Sequence, residues 1–107
     1  MNVFGKEFSM MKITVTDKAV AWFKEELDLP ETGKAIQFYP RYGGEFQLKH
    51  GIGTAFNIEH LDDVRVGYHE HIGGLDIVVS ENDVWYFEDN NLLLDVNTYD
   101  EITYAKQ

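Results

Sequence analysis

Apolar and polar side chains alternate at two-residue spacing along much of this chain, and this pattern constrains the fold more than any other feature. The alternating segments are Ile36/Phe38, Phe46/Leu48, Phe56/Ile58, Val64/Val66/Tyr68 and Leu75/Ile77/Val79. Such a period is typical of strands with one buried face. Because glycines and paired acidic residues separate the segments, we predict a meandering, mainly antiparallel sheet through the middle of the chain.

One segment near the start has the period of a helix instead. It follows a short predicted strand, Lys12-Ile13-Thr14-Val15, and begins at Thr16, whose hydroxyl suits an N-cap. The apolar residues that recur at helical spacing are Ala19, Val20, Phe23 and Leu27. Asp28-Leu29-Pro30 ends the pattern, so we predict one N-terminal helix between these limits.

The last third of the chain predicts a second, shorter helix between strands. Ser80-Glu81-Asn82-Asp83 has the spacing of a capping motif, and the apolar residues that follow predict a short helix or helical turn. Leu92/Leu94/Val96 then alternate as a strand, and Ile102/Tyr104 predict a last short one. Pro40 indicates a sheet edge or a strand end.

The length of the chain suits one domain. Its 107 residues, of which 44% are hydrophobic, are sufficient for a single core. Met10-Met11 stands directly before the predicted opening strand. We therefore interpret residues 1–10 as an upstream extension or residues added by cloning, and residues 11–107 as the domain.

Acidic residues outnumber basic ones, 19 to 9, and give a formal net charge of −10. This charge repels phosphate backbones and anionic lipid surfaces, so we expect neither nucleic acid nor a membrane as a partner. Apolar runs are far shorter than the roughly 20 residues of a membrane span, and the first residues lack the pattern of a secretory signal. We expect a cytoplasmic protein.

The sequence contains no cysteine, which excludes disulfides, thiolate nucleophiles and any zinc ion or iron–sulfur cluster held by cysteine. Ser9 and Ser80, the two serines, do not stand in a nucleophile elbow, and no glycine-rich phosphate loop is present. Since no residue constellation nominates a reaction, we predict that the protein is not an enzyme.

Two short segments carry a resemblance to a known family. Arg41-Tyr42-Gly43-Gly44 follows the strand Ile36-Gln37-Phe38-Tyr39, and Asp83-Val84-Trp85-Tyr86-Phe87 lies further along the chain. Together with the helix start, these segments resemble the HesB-like family of A-type iron–sulfur biogenesis proteins, in its YneR-like branch, over about residues 11–107. The resemblance implies an α+β fold with one N-terminal helix, a short second helix and mainly antiparallel sheets of short strands.

The same resemblance implies where the family's cysteine ligands would stand. One cysteine is expected beside the loop glycines and two in a C-terminal Cys-Gly-Cys segment, but the corresponding residues here are Gly43-Gly44-Glu45-Phe46 and the tail from Asn97 to Tyr104. No ligand role can therefore be transferred. The resemblance implies a protein-interaction or accessory role, with iron–sulfur assembly components as expected partners.

The glycine-bearing loop is the predicted partner-binding site. Its candidate residues are Tyr39, Arg41, Tyr42, Gly43, Gly44 and Glu45. An arginine beside two tyrosines suits a cation–π or carboxylate-binding contact at an interface. The alternative interpretation is that the segment is only a turn.

A second candidate site is a pair of histidines, His69 and His71, which a strand places on one face. Two imidazoles at this spacing can share an iron or zinc ion, and the residues that could complete the coordination are His50, His60, Glu59, Asp62 and Asp63. The alternative is a polar strand face without a ligand. No cofactor is otherwise expected.

The aromatic residues are predicted to serve packing before binding. We assign Trp85-Tyr86-Phe87 to the core, because aromatic side chains mainly fill cores. Trp22 is predicted at the rim of the core or at an oligomer contact, and a homo-oligomer remains open.

Overall fold

Two sheets and two helices build the fold in the computed structural model, which describes residues 11–107. The interpretation of residues 1–10 lies outside this range. The elements in chain order are β1 (Lys12–Val15), α1 (Asp17–Glu26), β2 (Lys34–Tyr42), β3 (Gln47–Lys49), β4 (Ile52–His60), a 3-10 turn (Leu61–Asp63), β5 (Val66–Ile72), β6 (Leu75–Ser80), α2 (Val84–Phe87), β7 (Asn91–Val96) and β8 (Ile102–Lys106).

The strands form a three-stranded sheet in the order β1-β7-β8 and a five-stranded sheet in the order β3-β4-β2-β6-β5. Four strand pairs are antiparallel, as predicted, namely β2/β4, β3/β4, β5/β6 and β7/β8. The pairs β1/β7 and β2/β6 are parallel, which the sequence pattern did not predict. The fold is therefore α+β with mixed sheets that dominate over the helices.

Helix α1 forms where the sequence predicts it. The Thr16 hydroxyl accepts a hydrogen bond from the Ala19 amide at 3.1 Å and caps the first turn. The helix buries one face, formed by Ala19, Val20 and Phe23, and its last residue is Glu26. Apolar residues from both sheets meet this face, and those that are fully or almost fully buried include Ile13, Ile36, Phe38, Ile77, Leu92 and Leu94.

The edges of the two sheets meet differently on the two sides of the fold. On one side the Ile13 amide donates to the Tyr68 hydroxyl at 2.9 Å, and Lys12 Nζ lies 2.8 Å from Glu70 Oε1. Burial raises the pKa of Tyr68 to about 12, so this hydroxyl stays protonated. On the other side Phe46 stacks on Tyr104 with ring centroids 5.7 Å apart. Strands β1 and β5 thus close one side, and the other side carries a cavity.

Three local predictions need correction. Ser80 does not cap α2: the N-cap is Asp83, which makes no side-chain capping bond, and the Ser80 hydroxyl accepts from the Asn82 amide at 3.3 Å. The Pro40 prediction holds only locally: β2 is an inner strand of the sheet, but β6 pairs with it only at Ile36 and Gln37, so at Pro40 β2 pairs with β4 alone.

The third correction concerns Val64, which was predicted to lie in a strand. It lies between the 3-10 turn and β5, because that strand begins at Val66 with a register shift before Tyr68.

Within residues 11–107, no helix has the length and apolar character needed to cross a membrane.

Candidate functional site

The predicted loop and the C-terminal hairpin face each other across a cavity of about 500 Å³. The loop side of the cavity consists of Arg41, Gly44, Glu45 and Phe46, with Thr54 beneath them, and the hairpin side consists of Asn97, Glu101, Ile102, Thr103 and Tyr104. These are the two segments in which the resemblance places the family's cysteines. The fold therefore brings both of them to one place, although neither holds a thiol.

Glycines and one glutamine set the shape of the loop. Gly43 and Gly44 have φ values of +81° and +88°, a region that side chains other than glycine rarely adopt. The Gly43 amide donates to the Gly51 carbonyl at 3.0 Å. The Gln47 side chain then joins the two turns, since its Nε2 donates to the Gly44 carbonyl at 3.0 Å and its Oε1 accepts from the Gly51 amide at 2.9 Å. The segment is a turn with a defined conformation.

Gly53 in β4 allows the loop to lie directly on the sheet. This buried residue pairs with Arg41 on one side and Gln47 on the other. An ideal Cβ built on Gly53 would overlap the Gly43 carbonyl oxygen and would stand 3.4 Å from the Phe46 carbonyl oxygen. The loop backbone can therefore approach β4 closely only because residue 53 is glycine and has no side chain.

Asn97 organises the opposite wall of the cavity. Its Oδ1 accepts from the amides of Tyr99 and Glu101 at 2.9 and 3.0 Å, and its Nδ2 donates to Glu101 Oε1 at 3.1 Å. The indole of Trp22 donates to the Asp100 carbonyl at 2.9 Å and packs edge-on against Phe23 and Phe56. Trp22 thus lies at the rim of the core and fixes the β7–β8 turn to α1.

The cavity carries opposite charges that do not neutralise each other directly. Arg41 forms no ion pair with the described residues, and neither does Glu45 or Glu101. Burial raises the pKa of Tyr104 to about 12, with Tyr39 adding to the rise and Arg41 opposing it. The walls thus offer a guanidinium, carboxylates, hydroxyls and an amide. This donor set does not fit an iron–sulfur cluster, whose iron atoms are normally held by thiolates.

Residues of the predicted partner site divide between two surfaces. Arg41, Gly44 and Glu45 line the cavity, and the side chain of Tyr42, 90% exposed, lies at a neighbouring cleft of about 180 Å³. Trp85 lines the same cleft and is 46% exposed. The packing prediction for Trp85-Tyr86-Phe87 is therefore confirmed for Tyr86 and Phe87, which are buried, and wrong for Trp85.

The predicted partner site did not include several residues of the cavity, although the family resemblance covers the loop and the tail in which most of them lie. Phe46, Thr54, Asn97, Glu101 and Tyr104 belong to the cavity. An asparagine directly after an apolar strand is a recognisable turn signal, so Asn97 was detectable. Nothing in the sequence marks Glu101 among 19 acidic residues.

The two predicted metal-binding histidines converge on one carboxylate. His69 Nε2 and His71 Nδ1 lie 2.9 and 3.0 Å from the same oxygen, Asp76 Oδ1. Asp76 is opposite His71 in the β5/β6 pairing, on the face away from Leu75 and Ile77. Metal binding at this place stays a prediction.

The other proposed ligands are distributed elsewhere. His50 lies in the β3–β4 turn, Glu59 and His60 end β4, and Asp62 and Asp63 lie in the 3-10 turn. Strands β2 and β6 separate β4 from β5 in the sheet. Among residues 11–107, no group of three or more histidine, aspartate or glutamate side chains is arranged to hold a metal ion.

A pH dependence of stability follows from Asp76. Hydrogen bonds from His71 and His69 lower the pKa of its carboxyl, so the folded state favours the ionised form. Its contribution is therefore present above the unfolded pKa of about 4 and is lost as the pH falls through the folded value. We expect Asp76→Asn to lower the free energy of unfolding by less than about 1 kcal/mol at pH 6, because Asp76 and its two histidine partners are partly exposed.

Urea titrations at pH 6 and pH 3 test this expectation, with Asp62→Asn as the control for loss of an exposed carboxylate. The difference between wild type and Asp76→Asn should shrink at pH 3. A difference that is as large at pH 3 as at pH 6 would contradict a role for the ionised carboxylate.

Comparison with solved structures defines the fold class. The crystal structure of Escherichia coli SufA, involved in biosynthesis of iron–sulfur clusters, matches with a TM-score of 0.60 and 12% sequence identity, and the match covers 100% of this chain and 96% of SufA. The chain therefore has the HesB-like fold that the sequence resemblance implies. At this identity the likeness concerns the fold alone.

Comparison with curated proteins defines the family. The chain is 59% identical over 97 residues to the uncharacterized protein SH1556 of Staphylococcus haemolyticus, covering 90% of this chain and 98% of that protein. It is 56% identical over 96 residues to the uncharacterized protein SSP1406 of Staphylococcus saprophyticus, covering 89% and 98%. It is 49% identical over 98 residues to the uncharacterized protein SAR1364 of Staphylococcus aureus, covering 91% and 100%. The chain belongs to the family of these staphylococcal proteins, and no family model matches it.

Proposed function

We propose that this protein is a non-enzymatic, cytoplasmic member of the HesB-like fold that works beside iron–sulfur cluster biogenesis as an interaction or accessory protein. In this proposal it contacts protein partners through the Arg41 to Glu45 loop. It does not carry a cluster on cysteine ligands, since the chain contains none. The segments Arg41 to Gly44 and Asp83 to Phe87 are the reason for placing it in the YneR-like branch.

One observation carries the proposal: the loop and the β7–β8 hairpin meet around a single cavity in the described structure. Its walls have a fixed backbone, held by Gln47 on one side and Asn97 on the other. Arg41 lines this cavity, Tyr42 lies at the neighbouring cleft, and both are exposed. Tyrosine, tryptophan and arginine are the residues most enriched at binding hot spots. A rigid, exposed, aromatic and charged surface suits a protein contact better than it suits metal transport.

The test is capture of partners by the tagged, full-length protein in its native host, followed by identification of the captured proteins. We expect an iron–sulfur assembly component among them, and we expect Arg41→Glu/Tyr42→Ala to reduce its recovery at least about fivefold, since hot-spot residues each contribute on the order of 1–2 kcal/mol. The matched control is Arg65→Glu/Val66→Ala, which changes an exposed cation and an exposed apolar residue around the start of β5.

Circular dichroism of both variants should match the wild type, because these side chains are exposed. Equal recovery of the assembly component with the loop variant and the control would remove the loop from the proposal. Absence of any iron–sulfur assembly component from the captured proteins would remove the connection to cluster biogenesis.

A second candidate function is an iron- or zinc-binding module. His69 and His71 lie on one strand face beside Asp76, and imidazole and carboxylate are common ligands of both metals, so a bound ion would replace the two hydrogen bonds to Asp76. Metal and sulfide quantification after anaerobic purification separates the candidates. Stoichiometric metal that is lost in His69→Ala/His71→Ala would favour the module, and acid-labile sulfide would contradict the cluster-free proposal.

A further inference from the structure

Within residues 11–107 the two sheets have four edge strands, which differ in how well they are protected. In the sheet orders β1-β7-β8 and β3-β4-β2-β6-β5, these edges are β1, β8, β3 and β5. An edge strand presents unpaired N–H and C=O groups, and proteins normally shield such groups with bulges, charges or covering elements. An edge that lacks this shielding is a candidate for pairing with another chain.

Three of the four edges are shielded. The outward amide of Ile13 in β1 donates to the Tyr68 hydroxyl, which brings β5 against β1. Strand β5 has a bulge between Val66 and Tyr68. Strand β3 has only three residues and a register shift, and its Leu48 amide donates to the Tyr86 hydroxyl at 3.1 Å.

Among the described residues, β8 has no bulge and no side-chain hydrogen bond to its outward backbone, and its one charged side chain, Lys106, lies at its end. Its pairing with β7 is continuous from Ile102 to Lys106, without a bulge. Asn97 N donates to Glu101 O, and Gln107 N donates to Asn91 O, at the two ends of this pairing. Because hydrogen-bonded pairs alternate along an antiparallel ladder, the backbone groups of Ile102, Tyr104 and Lys106 must point away from β7. Within residues 11–107, no strand pairs with that side.

The cavity lies along this same strand. Ile102, Thr103 and Tyr104 line it, with Arg41 and Phe46 across from them. The space of about 500 Å³ leaves room beside β8 for part of another chain. Five strand residues correspond to about 17 Å, so an added segment of about five residues would match the edge.

The charges around the cavity indicate what kind of segment fits. At the end of β8 that lines the cavity, Glu45 and Glu101 contribute two carboxylates against the one guanidinium of Arg41, whereas Lys106 lies at the other end of the strand. The whole chain carries −10. Charges of opposite sign on a partner speed its association and suppress wrong partners. The cavity end of this edge is therefore complementary to a segment with excess lysine or arginine.

We propose that β8 is a docking edge for an extended, basic segment of a partner protein, which adds to the three-stranded sheet as a fourth strand. Main-chain hydrogen bonds to Ile102, Tyr104 and Lys106 would hold the segment, and Glu45 and Glu101 would select its basic side chains. This inference rests on the proposed function, because it assigns the partner's chemistry at the same site.

The experiment uses the full-length protein and a positional-scanning library of extended hexapeptides. We expect lysine and arginine to be enriched in the peptides that bind. With the best peptide bound, hydrogen exchange at the amides of Ile102 and Tyr104 should slow at least about tenfold, as new backbone bonds form.

Two sets of variants test pairing and charge separately. Methylating alternate backbone nitrogens of the peptide in one register should abolish binding, and methylating the other register should not, because an added strand uses alternate N–H groups. Glu45→Gln/Glu101→Gln should weaken binding about five- to tenfold, the effect of two exposed ion pairs. The matched control, Glu25→Gln/Glu26→Gln on α1, should leave it unchanged.

Several results would overturn the proposal. These are selection of neutral or acidic peptides, equal effects of both methylation registers, and protection of the Ile102 and Tyr104 amides already in the free monomer, which would mean that the chain covers its own edge. Protection that appears only with concentration-dependent dimerisation would identify a second copy as the occupant. Capture of an assembly component that leaves these amides unprotected would contradict this inference alone, and basic peptides bound at β8 without any such component would contradict the proposed function alone.

Discussion

Replacing Gly53 with alanine is expected to lower the free energy of unfolding by about 2–4 kcal/mol, although alanine normally suits a strand better than glycine does. The new methyl group would overlap the Gly43 carbonyl oxygen and crowd the Phe46 carbonyl. Both obstacles are backbone atoms, so no side-chain rotation relieves the overlap. The loop must move away from β4, which would weaken or break the Gly43–Gly51 hydrogen bond and the two hydrogen bonds of the Gln47 side chain.

Urea unfolding measures this loss, and hydrogen exchange at the Gly43 and Gly51 amides shows whether the loop has moved. Gly33→Ala is the matched control. It places a methyl group in open space at a φ of +81°, so it reports backbone strain of about 1 kcal/mol without an overlap. If Gly53→Ala is as stable as wild type and keeps slow exchange at Gly51, the loop does not depend on the close approach.

Tyr86→Phe is expected to destabilise the fold by about 2 kcal/mol, because one hydroxyl satisfies three groups around β3 and β4. The Tyr86 hydroxyl donates to the Ile52 carbonyl at 2.8 Å. With that proton committed, its oxygen accepts from the Leu48 amide at 3.1 Å and from the Thr54 hydroxyl at 2.9 Å. The side chain itself is fully buried, so the variant leaves polar groups without partners beneath the cavity.

Urea unfolding and exchange of the Leu48 amide check this expectation, with exchange predicted to accelerate in the variant. Tyr99→Phe, at a tyrosine that is 82% exposed, is the control and should change neither quantity. A loss below about 0.5 kcal/mol for Tyr86→Phe would mean that water replaces the hydroxyl at all three groups. The stability of the β3–β4 hairpin would then not depend on its hydrogen bonds to Tyr86 in α2.

The elements of this fold follow closely from sequence periodicity, but their partners do not. Alternation places Ile36 and Phe38 in β2 and Leu75 to Val79 in β6, because a half-buried strand must repeat every two residues. Nothing in that alternation specifies that β2 and β6 run parallel, since parallel and antiparallel neighbours can bury the same face. Strand pairing is decided by the path of the whole chain.

The candidate site shows the same difference: its turn can be predicted from neighbouring residues, but its cavity depends on residues far apart in the sequence. Gly43 and Gly44 mark a turn locally, and the positive φ values confirm the need for glycine there. The cavity also requires Glu101 and Tyr104, which lie more than 50 residues away and reach the loop only because β8 follows β7 back across the fold. Trp85 was misassigned for a related reason: a helix of four residues cannot bury every side chain.

The parallel pairing of β1 with β7 has a consequence for the protein during its synthesis. Lys12 to Val15 pair with Asn91 to Leu94, so β1 cannot pair until β7, the second-to-last strand, has been synthesised. The apolar side chains of β1 and α1 therefore leave the ribosome well before their sheet exists, and contacts between such distant residues form slowly.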